Sequence, residues 1–326
     1  MGKYVLKRFL LLIPTLFIVL SIVFLLLRFA KGSPARELLI EENPEITPSP
    51  EEVYAKEVEM GLHDPILTQL VRFYGQILKG DWGESYKYKM PVFEKMAAVW
   101  EPTLLIAGFA TIITVVIAIP AGIFSATHRN SLLDYTISTF STITMVVPGF
   151  CVSIMFQFFF SIWWQRKFGY RLFPAVEYKY IEKVGFINSI HYLVMPSVSL
   201  GLHHVASMAR YTRTTMLDVL SQDYIRTARA KGLSRNKIYY KHALKNTLSI
   251  VGTMIAGSVA GMIGGAAVTE SVFNIHGMGS LTVTSLNFRD YPQEQAIVLF
   301  TAFLFLFLDL LLDIMYKLLD PRIEYE

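Results

Sequence analysis

Long uncharged runs alternate with short charged ones along this chain, and their lengths predict helices that cross a bilayer. Phe9–Leu27 is uncharged for nineteen residues, enough to span a hydrocarbon core at about 1.5 Å per residue. Thr103–Thr127 and Thr136–Trp164 carry no Lys, Arg, Asp or Glu. The second of these has Pro148-Gly149 near its middle, where a kink is expected. Val184–Ala209 is uncharged apart from three histidines, which places a helix at about 188–209. Asn246–Thr269 is uncharged and rich in glycine, and Gln295–Tyr316 is apolar except for Asp309 and Asp313. The pattern predicts an all-α polytopic membrane protein with six transmembrane helices and both termini on one side. Its organisation is a first helix within 1–29, an extracytoplasmic loop or small subdomain at 30–100, and a membrane core at 101–326 with a cytoplasmic loop at 210–245.

The loop after the first helix has structure of its own. "EENPEITPSPEE" reads as an irregular segment that starts a helix near Pro50. In "DPILTQLVRFYGQILKG" the apolar positions Ile66, Leu67, Leu70, Phe73, Ile77 and Leu78 recur at helical spacing. This predicts a surface helix packed against the membrane part, or a platform for an external partner.

Composition agrees with the pattern. The 326 residues are 53% hydrophobic and 17% charged, against about 25% charge in soluble domains. The uncharged run at the N-terminus is longer than the about 7–15-residue core of a cleaved signal peptide, so it is expected to stay as a helix. The single cysteine, Cys151, excludes an internal disulfide and has apolar neighbours, which predicts a small buried hydrophobe. With the N-terminus inside, inner and outer segments hold fifteen Lys and Arg each, so totals do not orient the chain. Density does. Nine basic residues fall between Arg210 and Lys245 and three among the first eight residues, whereas the long outer loop is balanced by acids. Long loops translocate largely regardless of charge. Both termini and the loop 210–245 are therefore expected in the cytoplasm.

The densest basic stretch is "DYIRTARAKGLSRNKIYYKHALKN", Asp223–Asn246, with seven Lys or Arg and one acid. Nucleic-acid binding fits the sign of the charge but not a position between two membrane helices. A topology signal that touches anionic lipid fits sign and position. Neither explains the order of residues, which is a helix-forming run, a stop at Gly232, and a second run opened by Ser234, a good N-cap. A helix–glycine–helix unit of this kind suits docking to another protein.

This stretch resembles the coupling loop of permease subunits of ABC importers of the oligopeptide and dipeptide type. There, an EAA-three residues-Gly pattern docks into an ATPase. Arg226-Thr227-Ala228 occupy the triplet, without its acid and first alanine, and Gly232 is the glycine. Lys245 stands where many members have proline. The rest of the chain resembles the B-type peptide permease in order: "MGKYVLKRFLLLIPTLFIVLSIVFLLLRFAKGSP", "DPILTQLVRFYGQILKGDWGES", "IPAGIFSATHRNSLLDY", "HYLVMPSVSLGL", "TESVFNIHGMGSL", "DYPQEQA" and "LLDPRI". His276 replaces the usual proline before Gly277-Met278-Gly279.

The resemblance implies a sister permease, two ABC ATPase subunits and an extracytoplasmic substrate-binding protein, in the inner membrane of a prokaryote. It implies transport of oligopeptides or dipeptides. No GxxxxGK[ST] loop occurs in the chain, so no cofactor is expected on it, no catalytic residue is assigned, and ATP and Mg are expected on the partner ATPases. The docking helix would comprise Asp223, Tyr224, Arg226, Thr227, Ala228, Arg229, Ala230 and Gly232. Ala228 and Ala230 would keep its surface slim, and the arginines would meet acids on the ATPase. Pro148, Gly149, Gly257, Gly261 and Gly265 are expected in helix packing or along the path. Asp309 and Asp313 share a face of the last helix and are expected to pair with basic residues or to reach water rather than relay protons. His191, His203 and His204 are expected to pack and hydrogen-bond rather than bind metal. The alternative class is a stand-alone secondary transporter or channel, which would need couplers near the midplane on repeated halves; no second half matches Pro148-Gly149. An interaction scaffold without transport is a third class.

Overall fold

The computed structural model describes residues 2–43, 45, 47–174 and 178–319, with side chains from 9 to 311. Its helices are α1 (Gly2–Phe29), α2 (Pro34–Glu42), α3 (Pro50–Glu59), α4 (Ile66–Leu78), α5 (Val92–Thr127), α6 (Leu132–Val146), α7 (Gly149–Phe168), α8 (Ile181–Val184), α9 (Phe186–Leu220), α10 (Asp223–Ala230), α11 (Lys237–Phe273), α12 (Met278–Asn287) and α13 (Tyr291–Leu319). No strand forms among the described residues beyond one isolated bridge between Glu84 and Pro91. The chain divides into two units, one of Met1–Trp100 with Ser280–Leu310 and one centred on Glu101–Gly279.

Among the described residues, four helices are long and apolar enough to cross a membrane: Phe9–Phe29 within α1, α5, α11, and Tyr291–Leu311 within α13. The expected kink at Pro148-Gly149 is a break. Val147 and Pro148 are extended, and α6 and α7 diverge by 98°, so they count as a fifth span only if taken together. The expected sixth span, 188–209, lies inside the continuous helix α9 but is not among these helices. The physical reason is its surroundings. Buried positions recur along α9 from Ser189 to Val219 and include Ser197, Ser199, Thr212 and Thr215. A helix enclosed by protein needs less apolarity than one facing lipid.

In the first unit α4 lies along α1. Phe17 stacks on Tyr74 with ring centroids 4.5 Å apart, and the Tyr74 hydroxyl donates to the Phe17 carbonyl at 2.8 Å. Phe24 meets Phe73 at 5.4 Å. The expected helix at Pro50 forms with a capping box, in which the Ser49 amide donates to the Glu52 carboxylate and the Glu52 amide donates back to the Ser49 hydroxyl. Asp290 is fully buried and caps α13. It accepts from the Ser85 hydroxyl at 2.5 Å, from the Tyr86 and Lys87 amides at 3.0 and 3.2 Å, and from the Gln293 amide at 3.3 Å. Two sequence segments 200 residues apart, "GDWGES" and "DYPQEQA", thus meet on one carboxylate, whose charge strengthens every bond it accepts.

In the second unit α9 is the central helix, packed by α6, α7 and α11. Ser153 of α7 donates to Ser199 of α9 at 3.1 Å, and Thr114 of α5 to the Gly201 carbonyl at 3.3 Å. About two turns further along α5, Gly122 lets the two helices touch. A Cβ there would stand 2.6 Å from the Ala209 carbonyl oxygen and from the Thr212 Cβ. Cys151 is half-buried rather than buried, because it follows directly on the exposed break at Pro148-Gly149.

Gly122→Ala is expected to lower stability by about 1–3 kcal/mol through overpacking, despite the better helix propensity of alanine. Gly108→Ala, whose new methyl would meet nothing within 4 Å, is the control and is expected to be neutral or stabilising. Thermal unfolding of the purified protein in detergent separates the two.

Candidate functional site

The basic stretch folds as two helical segments about a tight turn. Helix α10 ends in a Schellman arrangement, with the Gly232 amide on the Arg229 carbonyl at 2.9 Å and the Leu233 amide on the Ala228 carbonyl at 3.3 Å. Gly232 takes φ +73°, a conformation that costs an L-residue roughly 1–2 kcal/mol. The chain re-enters helix at Arg235, directly after Ser234. It runs through a π-helical stretch, Lys237–Ala243, before the regular part of α11.

Only two residues of α10 face inward. Ile225 and Ala228 are buried in an apolar cluster with Ile123 and Ala126 of α5, Met216 and Val219 of α9, and Ile238 and Ala243 of α11. The spacing of three puts both on one face. The other positions are turned outward: Asp223, Tyr224, Arg226, Thr227, Arg229 and Ala230, with Gly232 in the turn. Ala228 therefore seats the helix instead of slimming its outer surface; Ala230 is exposed. The Tyr224 hydroxyl accepts from Asn246 Nδ2 at 2.7 Å, which ties α10 to α11. Arg226 lies 3.3 Å from Asp223, an exposed pair one turn apart whose contribution to stability is small.

Beside this cluster sits the carboxylate of "RNSLLDY", Asp134, whose pairing no local pattern indicates. Asp134 is 3% exposed. Arg213 of α9 grips it with two nitrogens at 2.7 and 2.9 Å. The Ser125 hydroxyl donates to the same carboxylate, and the Asn130 amide does so at 2.9 Å. One side chain thus joins the end of α5, the turn after it, the start of α6 and α9. The signal was the acid in "RNSLLDY", three residues after the N-cap Ser131, together with an arginine in an otherwise apolar-to-polar transition of α9. Another buried acid, Glu270, accepts from the Thr103 hydroxyl at 2.5 Å, and that hydroxyl accepts from the Met278 amide at 2.8 Å.

The residues expected in packing or the path come partly together. Gly149, Gly265, Ser199, His203 and His204 line one cavity of 270 Å³. The ring centroids of His203 and His204 are 6.0 Å apart. Along α11, Gly261 approaches His204 and Gly265 approaches Leu200, whereas Gly257 has nothing within 4 Å, and all three are exposed. Pro148 is exposed at the break. His191 packs on Phe173 at 5.3 Å. Asp309 is half-buried in α13, and Asp313 and the segment "LLDPRI" lie outside the residues with described side chains.

Residues 118–325, which hold this site, match the family of inner membrane components of binding-protein-dependent transport systems. The whole chain aligns with the whole of several relatives. It is 36% identical to a probable peptide ABC transporter permease of Sinorhizobium fredii over 326 residues, 100% of both chains. It is 35% identical to the oligopeptide transport system permease of Bacillus subtilis and 35% identical to the glutathione transport system permease of Escherichia coli, again over 100% of both chains. The chain belongs to this family of inner membrane permease components. The resemblance to ABC-importer permeases holds, and the stand-alone carrier gives way to a component that works with other transporter subunits.

Asp134→Asn is expected to destabilise the chain by up to about 3–5 kcal/mol, the cost of stranding one partner of a buried pair. The lower part of that range applies, because the Arg213 side chain is 26% exposed. The double variant Asp134→Leu/Arg213→Leu is expected to recover much of the loss. A double-mutant cycle in thermal unfolding measures the coupling.

Proposed function

We propose that this permease forms half of the translocation path of an ATP-driven importer of short peptides and docks an ATPase subunit through α10. The observation that carries the reading is the split of α10 into a seated face, Ile225 and Ala228, and an outward face bearing Arg226, Thr227, Arg229 and Ala230. A helix held by two apolar anchors and presenting cations outward is suited to a partner's acidic groove. The anchors reach α5, α9 and α11 at once, so a push on α10 reaches three long helices without a flexible linker.

In this reading ATP and Mg reside on two ABC ATPase subunits. A sister permease completes the path, and an extracytoplasmic binding protein delivers the cargo. Both termini and the loop 210–245 face the cytoplasm, as the density of basic residues supports. The path runs beside the exposed glycine face of α11, Gly257, Gly261 and Gly265, and past the break at Pro148-Gly149. Nucleotide-driven closure of the ATPases moves α10 and switches the path between inward-facing and outward-facing states. The relatives named for peptide, oligopeptide and glutathione transport favour a short peptide as cargo.

The test is co-purification from native membranes in mild detergent, with partners identified by mass spectrometry. Wild type is expected to bring down an ABC ATPase and a second permease. Gly232→Trp, and separately Arg226→Glu with Arg229→Glu, are expected to lose the ATPase at least tenfold and keep the second permease. Full retention of the ATPase by both variants would rule out α10 as the docking element. Its absence from wild type would sink the importer reading for this chain.

A further inference from the structure

The first unit holds a partly open cavity of 390 Å³, within the about 300–1,000 Å³ of small-molecule sites. Its walls hold polar groups that the protein itself leaves unpaired. Arg28 lies over the rings of Phe24 and Tyr291, 5.0 and 4.8 Å from their centroids, and its Nε and Nη1 are buried without a hydrogen-bond partner. Gln69 is 6% exposed. Its Nε2 donates to the Leu62 and Asp64 carbonyls, which fixes the amide, and its Oε1 has no partner. Gln295 is 5% exposed, and its Nε2 has none either.

These orphans are complementary in kind. Arg28 and Gln295 offer donors and a positive charge, and Gln69 offers an acceptor. Asp81 and Glu84 add negative charge on the same walls. The other two cations that line the cavity already have carboxylates: Arg72 lies 2.6 Å from Asp64 and Lys89 3.6 Å from Glu42. Burial pushes the Tyr86 phenol up to about 12, so it adds no negative charge beside Arg28. Leaving a buried charged donor unmade is costly, and a cluster of such groups around one space points to a ligand that completes them.

We infer that this cavity is a binding site for a small zwitterion of amino-acid or short-peptide type, its carboxylate on Arg28 and Gln295 and its ammonium toward Gln69, Asp81 and Glu84. The site lies wholly within the first unit, apart from the cavity lined by Gly149 and Gly265 in the second. The choice of a peptide as the zwitterion rests on the cargo proposed above; the charge pattern does not.

The probe is dialanine, and the readout is local. In the assembled transporter in nanodiscs, with Cys151→Ser and Gln76→Cys in this chain, a water-soluble thiol reagent modifies position 76 on the cavity wall, and mass spectrometry of this chain follows it. Dialanine is expected to slow modification, and N-acetyl-dialanine amide, which lacks both charges, is expected to have no effect. That arm needs no change in the polar groups themselves. Adding Arg28→Met is expected to raise the dialanine concentration for half-protection about tenfold or more, the loss of a charge-assisted hydrogen bond, while Arg28→Lys recovers part of it. Protection that needs phosphatidylethanolamine in the nanodisc and not dialanine would overturn the proposal in favour of a lipid headgroup. Equal effects of blocked and free dipeptide, or none from either, would overturn it in favour of water alone. Uptake of labelled dipeptide is measured in parallel: uptake without protection refutes this site only, and protection without uptake supports the site while refuting the importer reading.

Discussion

A single buried carboxylate organises the part of this permease on which α10 is seated. Asp134 cannot stay charged away from water unless its lone pairs are answered, and the answers come from three donors: the Arg213 fork, the Ser125 hydroxyl and the Asn130 amide. Satisfying that one group fixes the turn between α5 and α6 against α9. The apolar cluster around Ile225 and Ala228 shares two of these elements, α5 and α9, and adds α11. The geometry of the outward-facing arginines therefore depends on an ion pair that does not touch them.

The second unit also shows why a membrane helix can be polar. Helix α9 carries serines, threonines and histidines along most of its length and buries many of them. Ser199 takes a hydrogen bond from Ser153, and Thr212 stands where Gly122 brings two backbones together. Hydrophobicity marks the helices that meet lipid; α9 meets other helices, so its sequence answers to fit and hydrogen bonding instead. The glycines of α11 show the converse. They are exposed, and an added Cβ would meet nothing at Gly257, Leu200 at 3.7 Å at Gly265 and His204 at 3.3 Å at Gly261.

Much of this was legible in the sequence. Uncharged length predicted α1, α5, α11 and α13, because apolarity over about twenty residues is a one-dimensional property. Pro50 announced α3, and the periodic apolar residues announced α4. Gly232 announced the turn after α10, since only glycine adopts φ +73° without strain. A kink at Pro148-Gly149 was expected, but not a full break of 98°, because an angle depends on what the two halves pack against. The inward role of Ala228 was misread, since helical spacing gives a face but not which face is buried. Asp134 and Asp290 went unweighed for a different reason: their partners lie 79 and more than 200 residues away, and nothing in a linear pattern joins them.

The π-helical stretch at Lys237–Ala243 has a mechanical meaning. A π turn holds one residue more than an α turn, and each residue subtends about 100° of rotation. If the bulge migrates along the helix while both ends stay put, the segment it passes through rotates by about that angle. Such a migration, immediately after the turn that follows α10, would convert a displacement along the axis into torque. The rigid rods beyond it would then respond to a partner by twisting about their own length, presenting a different side chain to the same place.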